Sequence, residues 1–323
     1  MAVEFKTLDE QIMILRKRNL IIDDEQKAKR YLLENNYHNV INCYGKLLQS
    51  NTDLFISGAN IDEIRAINLY DTEIKQAILK ATLQIERTLK SIFSYIFESH
   101  VLNKDYYSVY KNNKMPFTSS HNSYLMIHKT INKNIKVGDI QHYINRYNYI
   151  PMWVVLNYFT FGDLLKFYDE LPLSIKNEIS KEFSIYVKDN LSLSSYIFDP
   201  KQFVAYLENI KELRNISAHN NMLFGFKAKK SIKHDESIHS YYKIDKDAPR
   251  QDIYNTLILM QCFMTQSQYN TLHNTILKRT KVLQVKLKSI DYNRIISKLG
   301  FPENWIENTK TKYNDTEILG KEY

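Results

Sequence analysis

The chain has 323 residues, 44% apolar and 13% aromatic, which excludes a disordered polypeptide and leaves ample material for a buried core. Seven glycines and six prolines are too few for the many tight turns of a β-rich chain, so long helices are expected. Lysine and arginine exceed aspartate and glutamate by 44 − 36 = 8, a balance that favours polyanionic partners. An AT-rich coding bias would give the same Lys-, Asn-, Ile- and Tyr-rich composition without one. Cys43 and Cys262 alone rule out a disulfide framework and a cysteine-based zinc site, and they suit a reducing compartment. The opening residues lack the basic-then-apolar pattern of a signal peptide. The longest apolar stretch, near Met152 to Phe161, is interrupted by Asn157 and is shorter than the ~20 residues of a membrane span. A soluble cytoplasmic protein with no membrane partner is expected.

In chain order, Thr7 and Glu10 have the spacing of a capping box, predicting a helix through Arg18 with Ile12 and Leu15 inward. Asp23 and Asp24 can cap a second helix carrying Ala28, Tyr31 and Leu32 on one face. A third helical stretch is predicted from Tyr37 to Leu48. The polar run Ser50 to Asn60 then reads as a linker, which sets off residues 1–58 as an N-terminal helical unit. Asn60 and Glu63 form another capping box. Beyond it, Ile74, Ile78, Ala81, Ile85, Leu89, Ile92 and Ile96 step by threes and fours over about six turns, predicting a core helix. Glu86 and Arg87 beside that stripe suit a surface ion pair. Helices are expected from Ser119 to Asn132 and near Asp139 to Tyr147. Pro151 fits the first turn of a helix holding Trp153 to Leu156, and Gly162 a corner before a helix from Asp163 to Glu170. Asp199-Pro200 predicts a capped helix with Phe203, Leu207, Ile210 and Leu213 inward. A basic, histidine-bearing loop spans Phe226 to Arg250. Two or three closing helices from Asp252 end at Gly300 and Pro302. The phosphate-loop, dinucleotide, zinc-protease and nucleophile-elbow motifs are missing, and no helix-turn-helix with a basic recognition helix stands out.

The segment with chemistry in it is Lys211 to Asn220. Cutting RNA without a metal needs a group to take the 2′-hydroxyl proton, one to protonate the leaving 5′-oxygen, and a cation for charge building on phosphorus. Histidine serves the first two tasks near neutral pH, and the planar arginine fork serves the third. Arg214 and His219 supply both. With 10 arginines and 9 histidines, an Arg followed by a His at four to six intervening residues arises by chance about 10 × 3 × 9/323, or roughly 0.8 times. The spacing by itself therefore carries no weight.

The surrounding residues do. Leu213-Arg214-Asn215, then Ala218-His219-Asn220, resembles the signature of HEPN domains in abortive-infection proteins of the Abi D/F type. Two further stretches resemble that family: Lys6 through Arg18-Asn19-Leu20 to Tyr31-Leu32 and Asn36-Tyr37, and Pro151-Met152-Trp153-Val154 through Phe161-Gly162-Asp163-Leu164 to Phe167-Tyr168. A weaker echo is Leu299-Gly300-Phe301-Pro302 with Trp305. The chain departs from the family in having Asn220 where relatives often carry a second His, and Ser217 where a Cys is frequent.

The resemblance implies an all-α fold, a HEPN-type helical bundle over residues 59–299 with the added N-terminal unit, helical insertions and a tail from 300 to 323. It also implies ribonuclease activity, an anti-phage, toxin-like role, and association with a small non-coding RNA. On a straight α-helix, residues five apart diverge by ~140° and rise ~7.5 Å, so Arg214 and His219 cannot converge on one phosphate. Either the helix distorts, or a homodimer brings a second copy of the motif; relatives act as paired domains. The expected catalytic residues are Arg214 on the phosphate, His219 as general acid or base, and Asn215 orienting His219 or the phosphate; no metal and no cofactor are called for. Lys227, Lys229, Lys230 and Lys233 could contact RNA phosphates, with Tyr241 and Tyr242 stacking on bases, or their loop is merely solvated. His121, His128 and His142 read as surface residues. The alternative function is a non-catalytic RNA- or protein-binding module, an antitoxin or scaffold.

Overall fold

The computed structural model describes residues 5–50, 53–100, 121–136, 138–147 and 149–312, with backbone alone for 121–124. Among them all regular structure is helical, as expected. The only β features among the described residues are isolated bridges between Ile21 and Asn60 and between Gln49 and Phe55. The expected helix start at Ser119 and the side chain of His121 lie outside the described residues.

Helices α1 (Leu8–Lys17) and α2 (Glu25–Asn35) begin at the predicted caps. Thr7 Oγ1 accepts from the Glu10 N–H, Glu10 accepts from the Thr7 N–H, and Asp24 accepts from the Lys27 N–H. The next segment departs from a plain helix. It is a π-helical stretch, His38–Tyr44, running into a 3₁₀ turn, Gly45–Leu48. The wider winding buries Val40, Ile41 and Tyr44 together, and such local unwinding is common near functional sites.

Helix α3 (Ile61–His100) is the axis of the molecule, 40 residues and about 60 Å long. Glu63 accepts from the Asn60 N–H, closing the predicted cap, and also from Lys288 N and Ser289 N. The cap thus clamps a distant loop. Of the predicted stripe, all but Ile92 are fully buried, and Ile92 is partly so. Glu86 pairs with Lys90 at 2.8 Å rather than with Arg87, as the i,i+4 geometry favours.

Helices α4 (His121–Asn134), α5 (Gly138–Tyr147) and the short α6 (Met152–Val155) follow, then α7 (Phe161–Asp169). Gly162 is not a corner. It lies in the first turn of α7, because Thr160 and Asp163 form a capping box that starts two residues earlier. Helix α8 (Leu173–Leu191), which the pattern analysis leaves unassigned, buries Ile175, Ile179, Phe183 and Val187. Helices α9 (Pro200–Ala218) and α12 (Gln266–Lys286) pack along α3. The short α10 (Glu236–His239), α11 (Ile253–Met260), α13 (Tyr292–Ile296) and α14 (Trp305–Asn308) complete the order. Buried residues from Ile12 and Leu32 through Ile64 and Leu213 to Ile306 form one continuous apolar cluster.

Candidate active site

Helix α9 carries the Arg-x₄-His segment. Asp199 Oδ1 accepts from Lys201 N and Gln202 N, and Pro200 occupies the first turn, where its missing N–H costs nothing. Phe203, Leu207, Ile210 and Leu213 are buried. Phe203 sits in a ring cluster with Phe183, Phe198 and Phe263, centroids 5.2 to 5.4 Å away. The start of α9 is therefore anchored in the core, and its last turn emerges from it.

At that end Arg214 is half-buried, while Asn215 and His219 are exposed. Ser217 points inward and donates its hydroxyl to the Leu213 carbonyl at 2.8 Å. His219 is the C-cap. Asn220 follows with φ of 54°, and the closing hydrogen bonds run from Asn220 N to Ser217 O and from Asn221 N to Ile216 O. This is a Schellman closure, and asparagine is one of the few non-glycine residues that enter the left-handed region readily. The helix ends between Arg214 and His219 rather than continuing through them.

A buried polar network sets where that end lies. Lys75 on α3 donates to Asn220 Oδ1 at 2.7 Å and pairs with Asp71 at 2.8 Å, the two side chains 4% and 0% exposed. Asp71 also accepts from Leu223 N at 2.9 Å and from the Tyr44 hydroxyl at 2.8 Å. Burial, reinforced by the adjacent Asp71 charge, pushes the Tyr44 phenol up, so it stays a donor. Helix α3, the π-helical stretch and the chain after His219 thus meet at one carboxylate. Sequence reasoning missed Tyr44, Asp71 and Lys75. The available signal was a charged i,i+4 pair on a helix face otherwise lined by Ile67, Ile74 and Ile78.

The Arg214 guanidinium donates to Asn215 Oδ1 at 3.3 Å. Asn215 therefore turns toward Arg214 and not toward the His219 ring. Among the described residues, no carboxylate lies within ion-pair distance of Arg214, and the His219 ring makes no hydrogen bond. The segment ends in a guanidinium and an imidazole, neither committed to an internal partner of opposite charge.

The basic segment runs beside α9. Lys229 N donates to Glu212 at 3.0 Å, Asn209 donates to the Lys230 carbonyl, and the Lys230 ammonium pairs with Glu208. Lys227, Lys229 and Lys233 are exposed. The loop is knitted rather than merely solvated. Buried Arg250 donates to the carbonyls of Ile232, Asp245, Lys246 and Ala248. His239 is buried at 1% exposure, and burial lowers its pKa to about 4. Tyr241 is 58% exposed, whereas Tyr242 donates its hydroxyl to Gln261 at 3.1 Å and is largely enclosed. His142 is exposed and His128 half-buried.

Residues 30–225 match the model of a family described as Abi-like protein, 225 − 30 + 1 = 196 of 323 residues. This chain belongs to the Abi-like family. Membership supports a role in abortive infection. The matched region of this Abi-like protein includes Asp71, Lys75, Arg214 and His219, and it stops five residues past Asn220. No curated protein and no solved structure matches the chain. Among the described residues, no helix is long and apolar enough to cross a membrane.

Proposed function

We propose that this Abi-like protein is a HEPN-type endoribonuclease acting in the cytoplasm. It needs no metal, works as a homodimer and is held in check by a small non-coding RNA. The observation that carries the reading is that Arg214 and His219, spaced as in the HEPN motif, both lie at the open end of α9 without a counter-charge among the described residues. Arg214 is half-buried and His219 exposed, so both are open to a phosphate group from solvent.

In the reaction, His219 takes the 2′-hydroxyl proton as the 2′-oxygen bonds to phosphorus. The bond to the 5′-oxygen breaks, and that oxygen takes up a proton from solvent water. Arg214 binds the non-bridging oxygens and stabilises the dianionic phosphorane. Asn215, bonded to Arg214, fixes the direction of the guanidinium. Products are a 2′,3′-cyclic phosphate and a 5′-hydroxyl. Because the two side chains leave the helix in different directions, the phosphate sits between two subunits. Exposed Lys227, Lys229 and Lys233 guide the flanking backbone.

The test is incubation of labelled RNA with the purified protein in EDTA, with Arg214→Ala and His219→Ala alongside. Chelator-insensitive cleavage that disappears in both variants supports the assignment. Tight RNA binding without cleavage in the unsubstituted protein would make it a non-catalytic binding module.

A further inference from the structure

Beyond the family match lies a cleft of about 720 Å³, within the size range of small-molecule sites. Helices α11 and α12 form its floor, the turn at Tyr241–Lys243 one rim, and the segment Phe301–Lys312 the other. Its lining is strongly aromatic. Tyr254 lies 5.0 Å from Phe301, Phe301 4.7 Å from Trp305, and Trp305 6.0 Å from His273, centroid to centroid. Of these rings Tyr254 and His273 keep partial exposure, and Tyr241 on the rim is exposed.

The charge on this cleft is positive. Lys243, Lys310 and Lys312 line it against the single carboxylate Glu303. Lys312 is the informative one. Asn274 grips its backbone from both sides, accepting from the Lys312 N–H at 2.8 Å and donating to the Lys312 carbonyl at 2.6 Å. The ammonium is directed over the Tyr269 ring at 4.8 Å, with no carboxylate in ion-pair range among the described residues. Burial lowers its pKa, as befits a cation without a counter-ion. Beside it, burial keeps His273 neutral, with a pKa of about 4; its Nδ1 lies 3.2 Å from Asn274 Oδ1, which takes its N–H and leaves Nε2 as the acceptor.

We propose that this cleft binds a purine nucleotide, the base stacked against Tyr241 and Tyr254 within reach of His273 and the phosphate on Lys312. A flat aromatic ligand carrying negative charge fits both halves of the lining, where a neutral apolar ligand would leave the lysine unanswered. The nucleotide is either free or an unpaired residue of RNA. The second source rests on the ribonuclease reading; the site itself shares no residue with Arg214 or His219.

The chain has two tryptophans, Trp153 and Trp305. Trp153→Phe leaves Trp305 as the reporter, and His219→Ala in the same full-length chain prevents cleavage of the probe. Adenosine 5′-monophosphate and a six-nucleotide adenylate RNA are titrated separately while fluorescence is followed. Saturable quenching is expected, at lower concentration for the RNA if the nucleotide is part of a strand and equally for both if it is free. Lys312→Met and the surface variant Tyr241→Ala should each weaken binding about tenfold. No saturable change with either probe, or affinity unaltered in both variants, overturns the site. Cleavage activity measured without His219→Ala is a separate readout, so loss of one reading leaves the other standing.

Discussion

Lys75 and Asn220, 145 residues apart, meet at 2.7 Å, and this contact joins the longest helix to the residue after His219. Asn220 is held there in a left-handed conformation with φ of 54°. A buried ion pair contributes little net stability, but it fixes register, and breaking it is costly. Here the register is that of the Arg-x₄-His helix end.

Lys75→Met should therefore destabilise the fold by about 3 kcal/mol, because Asp71 loses its cation in a fully buried position. Asp71→Asn combined with Lys75→Met removes both charges and should recover at least about 1 kcal/mol of that loss. Urea denaturation of the two variants checks this. Equal stability would mean that the pair is not coupled.

Arg214→Ala and His219→Ala should leave stability within about 0.5 kcal/mol, since both groups lie at the surface end of α9, and each should lower cleavage at least about 100-fold. Mixing the two inactive variants tests the shared phosphate. If arginine and histidine come from different subunits, half the dimers are mixed and each carries one intact site, so about a quarter of the activity returns. Activity confined to unmixed wild-type protein would place the centre within one chain.

His239 sets a pH dependence of stability. The Asp235 N–H and carbonyl lie 2.8 and 3.0 Å from its Nδ1, while Nε2 is a buried atom without a partner among the described residues. Its pKa of about 4 lies below the ordinary value of 6.5. Between these pH values the unfolded chain binds a proton that the folded chain refuses. The contribution is complete above 6.5 and is lost as pH falls toward 4, by at most about 1.4 kcal/mol per unit. His239→Gln should flatten this part of the stability profile in denaturant titrations from pH 7 to 5; an unchanged slope counts against a neutral, buried imidazole.

Gly300 and Gly225 offer a matched pair. Both have positive φ, 86° and 83°, but a Cβ on Gly300 would fall 2.1 Å from Asp252 Cγ, whereas Gly225 has open space. Gly225→Ala should cost about 1 kcal/mol from backbone strain alone. Gly300→Ala should cost at least about 2 kcal/mol more, by the clash with the residue that caps α11. Thermal unfolding of the two variants gives the comparison.

Local features of the fold were legible where one short stretch of chain satisfies itself. The capping boxes at Thr7 and Asn60, the Asp199-Pro200 start and the Ile74–Ile96 stripe all involve partners within a few residues. The misplaced corner at Gly162 failed for a related reason: the cap two residues earlier has Asp in place of the usual Glu or Gln. Helix α8 stayed unassigned although Ile175, Ile179, Phe183 and Val187 recur every four residues, with buried Ser180 and Ser184 blurring the stripe. The π-helical winding of His38–Tyr44 has no local sequence cause we can name; its effect is to bury Tyr44 within reach of Asp71.

By itself the sequence determined the all-α class, the ends of the capped helices and the chemistry available at Arg214 and His219, because periodicity, caps and side-chain type are properties of neighbours along the chain. Tertiary structure decided which polar groups are free and which are consumed. Asp71 and Lys75 became buried supports, Lys230 and Tyr242 found partners, and Arg214, His219 and Lys312 have no counter-charge among the described residues. That division depends on residues brought together across tens or hundreds of positions, where burial raises the cost of any unmatched charge.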